Sequence, residues 1–352
     1  MKFYPDILTF ADGRAVTPEN FSEHRAEMLD ILRKNAYGYF PPAPEKVRGE
    51  IEYSNDSTCS GHARAAKVTI SFDTPKGEFS FPVNYFEPTG EGKKPLILLI
   101  NFRPDRYDKY YPAEEIIDNG FAVAAVHYGD ITSDDGDFSD GLAGMFDRPT
   151  DGTGFGKITL WAYGLSRMVD FFSTLDNIDT DNIGVIGHSR LGKTALWCGA
   201  NDERIKYICS NDSGCMGAAY NRTRHEGGET IEIITRVFPF WFCENLFAYK
   251  ENIEGLPFDQ HYLIGASAPR YVCVNSATQD TWADPYSEQL ACAGASPLWE
   301  LLGKKGFAEG EKQAENGDCL NSGDIAYNLR DGVHFLGRTD WNNFMKFIKS
   351  KM

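Results

Sequence analysis

Two stretches, P-L-I-L-L-I-N-F (95–102) and F-A-V-A-A-V-H-Y (121–128), are apolar with almost no polar alternation. A strand of this kind is buried on both faces, which points to a parallel sheet covered by helices. The rest of the chain repeats the theme. Helical spacing spans 113–119, 158–175, 190–200, 287–302 and 341–348, and apolar strands fall at 183–187, 205–210, 271–276 and 325–329. This strand–helix alternation predicts an α/β fold, a three-layer αβα sandwich around a mostly parallel central sheet.

Flanking features refine that picture. Residues 66–72 and 79–86 alternate in polarity around Pro75-Lys76-Gly77 and predict an antiparallel pair at the sheet edge. An amphipathic helix with Phe21, Met28, Ile31 and Leu32 on one face is expected to start at Thr17 (N-cap) and Pro18. The proline-rich 40–44 is an extended connector. The 352 residues read as one catalytic domain, with an N-terminal extension over about 1–60 and an insertion over about 214–261. Insertions of that length between core strands shape binding sites.

Composition excludes some functions. The net charge of −16 argues against nucleic acid and anionic membrane surfaces as partners. No apolar run approaches the roughly 18 residues of a membrane span. No signal peptide is visible, so the expectation is a cytoplasmic protein, or a secreted one whose signal has been removed. The 8 cysteines form no C-x-x-C pair and no zinc spacing. Cys198, Cys209 and Cys273 fall in apolar patterns and are expected to be buried free thiols. No metal or cofactor is expected.

The strongest local signal is I-G-V-I-G-H-S-R-L-G-K (183–193). A strand runs into Gly187-His188-Ser189 and on into a helix, the context of a nucleophile elbow. The second glycine comes one place later than in G-x-S-x-G. The helix N-terminus would present N–H groups where an oxyanion develops beside Ser189. The α/β-hydrolase order is Ser, acid, His. His334 alone of 7 histidines follows the last core strand. Two aspartates follow strands in between, Asp212 in S-N-D-S-G and Asp280 in T-Q-D-T-W, and either carboxylate can fix the imidazole tautomer. Asp284 is a third acid nearby. Arg190 and Lys193 share a helix face, two cations suited to a negatively charged substrate or intermediate.

These residues resemble the glucuronoyl esterases, carbohydrate esterase family 15, over nearly the whole chain. D-I-L-T-F-A-D-G-R-A-V-T-P-E-N-F (6–21) and W-A-Y-G-L-S-R-M-V-D-F (161–171) are similar to family segments. G-H-S-R-L-G-K is similar to the family's G-C-S-R-x-G-K, D-S-G-C-M-G to its E-S-G-x-G-G, and L-P-F-D-Q-H-Y-L-I-G-A-S-A-P-R (256–270) to the stretch before its penultimate strand. The resemblance implies Ser189 as nucleophile, His334 as base and Arg190 on the oxyanion. It puts Lys193 on the sugar acid, Trp282 against a sugar ring and Glu229 near the place of a family glutamine. Asp212 stands where many members carry the catalytic Glu, and Asp280 at an acid position used in some. By that likeness Asp212 is expected to matter more.

The chain also departs from the family. His188 replaces a Cys that fungal members use in a disulfide, and T-R-V-F-P-F-W-F (235–242) lacks the family's glutamate before its W-F pair. Trp241, Phe238 and Phe240 are expected to line the sugar subsite or to form apolar core beneath it. Cleavage of 4-O-methyl-glucuronoyl esters of a glucuronoxylan-type substrate is the leading expectation. A carbohydrate deacetylase such as an acetylxylan esterase, and a non-catalytic carbohydrate-binding protein, are the alternatives. The aspartate-rich run 130–140 lacks the spacing of a calcium loop and is expected to be a solvated loop. The sequons at Asn55 and Asn221 matter only for a secreted chain. The oligomeric state is left open.

Overall fold

The apolar runs become adjacent strands of one sheet. The computed structural model describes residues 2–103, 111–223 and 227–352, except for the side chains of 55–57. His225 and the first sequon's side chains therefore lie outside the described residues. The strands are β1 (Val47–Thr58), β2 (Ala63–Thr74), β3 (Gly77–Pro88), β4 (Lys94–Asn101), β5 (Ala122–His127), β6 (Ile178–His188), β7 (Tyr207–Asn211), β8 (Tyr271–Ala277), β9 (Cys319–Leu320) and β10 (Ile325–Arg330). Their order is β1-β2-β3-β5-β4-β6-β7-β8-β10-β9. The run from β5 to β10 is parallel, with antiparallel additions at both edges.

Burial on both faces is literal in β4. Leu96, Leu98 and Ile100 enter the larger core, while Ile97 and Leu99 enter the smaller one. Helices Lys157–Phe172, Arg190–Asn201 and Pro285–Leu301 cover the first face. Ala113–Asp118 and Arg338–Lys351 cover the second. This is the expected αβα sandwich. The N-terminal segment contributes Ile7, Phe10, Val16, Met28 and Leu32 to the larger core, and the insertion contributes Ile231, Ile234, Phe242 and Leu246. No described helix is long and apolar enough to cross a membrane.

Some local readings change. The first helix is Phe21–Leu32, capped at Asn20. Asn20 Oδ1 accepts the N–H of Thr17 at 2.7 Å, so Thr17 and Pro18 form the turn before the helix rather than its start. β1, with its charged, Gly-containing sequence, was not legible as a strand, and neither was the two-residue β9. Cys198, Cys209 and Cys273 are buried and unpaired. Asn221 is buried against Asp259 and Gln260, so this sequon does not present its asparagine to solvent.

Candidate active site

The carboxyl ends of the central strands carry a polar row beneath the site. Register aligns His188 with Asn211, Asn211 with Asn275, and Asn275 with Asn328. All four are buried. Asn328 donates to Asn275 Oδ1 at 2.8 Å, and Asn275 to the Asp340 carbonyl at 3.1 Å.

Ser189 follows β6 directly. Its backbone sits at φ 58°, ψ −132°, a strained conformation that functional turns retain at roughly 1–3 kcal/mol. The flanking glycines make the bend feasible. A Cβ on Gly187 would lie 2.0 Å from the Leu191 carbonyl oxygen, and one on Gly192 would lie 2.9 Å from Ser210 Oγ. The displaced second glycine thus serves the elbow from one position later. Helix Arg190–Asn201 begins at once, so the first N–H groups lack intrahelical acceptors and sit at its positive end.

His334 lies in the loop after β10, and its Nδ1 is 2.5 Å from Asp280 Oδ2. Asp212 is close but engaged elsewhere. Its Oδ2 accepts from Asn211 Nδ2 (2.9 Å), Arg330 Nη2 (3.3 Å) and the Phe335 N–H (3.3 Å). Burial, reinforced by the charges of Glu288, Asp280 and Asp340, pushes the Asp212 carboxyl well above the usual range. Here geometry departs from the expectation that favoured Asp212. Asp280 touches the imidazole, whereas Asp212 braces the loop that carries it. Asp284 instead caps helix Pro285–Leu301, accepting from the Ser287 N–H. Asp212, Asp280 and His334 each place a ligand-type atom within 4.8 Å of the others.

His188 packs 4.4 Å, centroid to centroid, from His334. Burial first, then the neighbouring His334, drives its pKa far down and keeps it neutral. It fills the place of the fungal Cys without adding charge.

Both cations beside the nucleophile are already matched. Lys193, itself buried, donates to Glu229 Oε2 at 2.8 Å and to the Cys215 carbonyl at 2.5 Å. Arg190 Nη2 meets Asp134 Oδ2 at 2.6 Å, while its buried Nε has no hydrogen-bond partner among the described residues. The guanidinium lies over Phe102, at 4.6 Å, and Tyr128, at 5.0 Å. Trp241 is 4% exposed, stacks on Phe238 at 3.9 Å and donates Nε1–H to Asp134 Oδ1 at 2.7 Å. It therefore reads as buried framework of the site more than as an open sugar platform. Trp282 is 45% exposed, and its carbonyl accepts the Glu229 N–H at 2.9 Å. Of the two tryptophans considered for the sugar, it is the one that faces solvent.

The run 130–140 is only partly the solvated loop expected. Asp134 reaches Arg190 and Trp241, and Asp140 holds the fully buried Lys157 ammonium at 3.2 Å. Asp135 and Asp137 bond within their own turns.

Comparison with known proteins gives the chain a family. The family model described as "Glucuronyl esterase, fungi" matches residues 68–303. The chain is 41% identical to carbohydrate esterase MZ0003 of an unknown prokaryotic organism, over 99% of this chain and 89% of that protein. The chain belongs to the glucuronoyl esterase family. Family membership makes it a carboxylic-ester hydrolase. The Podospora anserina 4-O-methyl-glucuronoyl methylesterase is 29% identical over 85% of this chain and 60% of that protein. The Solibacter usitatus glucuronoyl esterase superposes with a TM-score of 0.91 at 29% identity, over 100% of this chain and 98% of that one.

Three residues at the site had no sequence signal. Arg330 donates Nε to both oxygens of Asp340 at 2.8 Å, and its Nη2 reaches the carbonyls of Val333 and Phe335. It fastens the His334 loop. Arg330→Met leaves Asp212 and Asp340 buried without their cation. The expected cost is about 3 kcal/mol in urea denaturation, and a loss below about 0.5 kcal/mol would contradict this role. Glu288, inside helix Pro285–Leu301, accepts from the N–H groups of Ser213 (2.8 Å) and Gly214 (2.9 Å) and from Ser276 Oγ (2.5 Å). It shapes the turn after Asp212. Asp134 is the third.

Burial pushes the Glu288 pKa up from 4.5 to about 7. Between those values the folded chain keeps a proton that the unfolded chain has released. Stability is therefore lost as pH rises through that window. Glu288→Gln lacks this loss. Its melting temperature should gain on wild type from about pH 4.5 to about pH 7.5. Parallel curves for the two proteins would refute it.

Proposed function

We propose that this esterase cleaves 4-O-methyl-glucuronoyl esters through Ser189, His334 and Asp280. The observation that carries the reading is the 2.5 Å bond from His334 Nδ1 to Asp280, set beside a strained serine elbow whose neighbouring arginine keeps one buried donor free. His334 takes the Ser189 proton through Nε2, and Ser189 Oγ attacks the acyl carbon. The Arg190 Nε–H and the first helix N–H groups receive the oxyanion. The alcohol leaves with the proton from His334. Water then repeats the sequence on the acyl-enzyme and frees the uronic acid.

Substrate charge supports the acyl group. In a uronate ester the carboxyl is neutral, and Lys193–Glu229 and Arg190–Asp134 make a charge-balanced wall that accepts it. The released uronate is an anion facing cations that are already paired. Lys193 and Glu229 are proposed to hydrogen-bond the sugar, and Trp282 to cover its ring. Relatives named 4-O-methyl-glucuronoyl methylesterase support the choice of acyl group, and a glucuronoxylan-type polymer is proposed as its source. The test compares kcat/KM for benzyl 4-O-methyl-glucuronate with that for acetylated xylose. A preference of about 100-fold or more for the uronate is expected. Preference for the acetyl ester would move the enzyme to the deacetylases.

A further inference from the structure

Arginine presents Nε and Nη2 as a parallel fork that carboxylates commonly clasp with both oxygens. Asp134 does not close that clasp. Its Oδ2 takes Nη2 at 2.6 Å, and its Oδ1 is held by the Trp241 indole N–H at 2.7 Å. Nε stays buried and, among the described residues, unpartnered as a result. We infer that Asp134 and Trp241 form a positioning pair that fixes the Arg190 guanidinium while reserving its Nε–H for the oxyanion.

The pieces come from separate parts of the chain. Asp134 belongs to the aspartate-rich loop after β5, Arg190 follows the nucleophile, and Trp241 sits in the insertion, stacked on Phe238. Asp134 without Trp241 would have a free oxygen within reach of the fork. Trp241 without Asp134 would leave the guanidinium, among the described residues, held by the ring faces of Phe102, Tyr128 and Trp241 alone, with no charged partner to fix its rotation. A charge-assisted bond at one corner and an aromatic sandwich on the plane set both position and orientation.

This inference rests on the oxyanion role of Arg190, and its test is built to separate the two. Asp134→Asn, Asp134→Glu, Trp241→Phe and Arg190→Met are compared on p-nitrophenyl acetate, whose acyl transfer needs an oxyanion site but no uronate subsite, and on benzyl 4-O-methyl-glucuronate. The expected result on p-nitrophenyl acetate is a kcat roughly 10- to 100-fold lower in Asp134→Asn, with KM within about twofold. Trp241→Phe keeps a ring but loses the N–H, so it should also lower kcat, by about tenfold. Asp134→Glu should recover part of the loss. Adding Asp134→Asn to Arg190→Met should cost little more than Arg190→Met alone, because both act through one group. Melting temperatures and fluorophosphonate titration of Ser189 correct for misfolded fractions.

An unchanged or raised kcat in Asp134→Asn overturns the inference, since Asp134 would then be idle or restraining. Full additivity with Arg190→Met, or a silent Arg190→Met, overturns it as well. Turnover of the acetate ester by wild type with none of the uronate would overturn only the substrate reading.

Discussion

Asp280→Asn is expected to lower kcat by about 10⁴-fold, and Asp212→Asn by about tenfold or less. An asparagine at 280 offers either an amide N–H to Nδ1 or a weaker, uncharged acceptor, so the imidazole loses the anion that fixes its tautomer and stabilises the imidazolium. Nothing else among the described residues bonds His334 Nδ1. At 212 the side chain bonds Asn211, Arg330 and the Phe335 N–H rather than the imidazole, and burial pushes its carboxyl pKa upward. A neutral amide therefore changes less. Equal losses, or a larger one at Asp212, would show that the imidazole turns to the other acid during turnover.

The second large effect is at the nucleophile. Ser189→Ala should reduce turnover by about 10⁵-fold or more and abolish labelling by a fluorophosphonate. Wild type should take up one label per chain, at Ser189, because the strained elbow exposes the hydroxyl to attack while the helix end and Arg190 polarise the incoming oxygen. The same experiment decides against a carbohydrate-binding protein on a hydrolase fold, which would have no reason to label. Labelling at another serine, or none, would remove Ser189 from the centre of the reaction.

Much of this was legible in the sequence because it is local. The buried strands announce themselves through unbroken apolar runs, and the elbow through a strand, a glycine and a helix start within 183–193. His334 was singled out by chain order alone. The choice of acid was not legible. Asp212 and Asp280 both follow parallel strands, and what separates them is the path of the loop after β10, tied down by Arg330. Asp134 reads in sequence as one of several solvated aspartates because its partners lie 56 and 107 positions away, at Arg190 and Trp241. The pairing of Lys193 with Glu229 was hidden for the same reason. β1 is hard to read because Gly49 interrupts the apolar side of an otherwise alternating run, Val47, Ile51 and Tyr53 against Arg48, Glu50 and Glu52, and the polar 54–58 follow.

The most direct test of the central claim is benzyl alcohol release from benzyl 4-O-methyl-glucuronate, followed in parallel for wild type and Ser189→Ala at equal folded concentration. Steady release by wild type that vanishes in Ser189→Ala is the predicted result. No release by wild type, or release that survives the substitution, would contradict a uronate esterase working through Ser189.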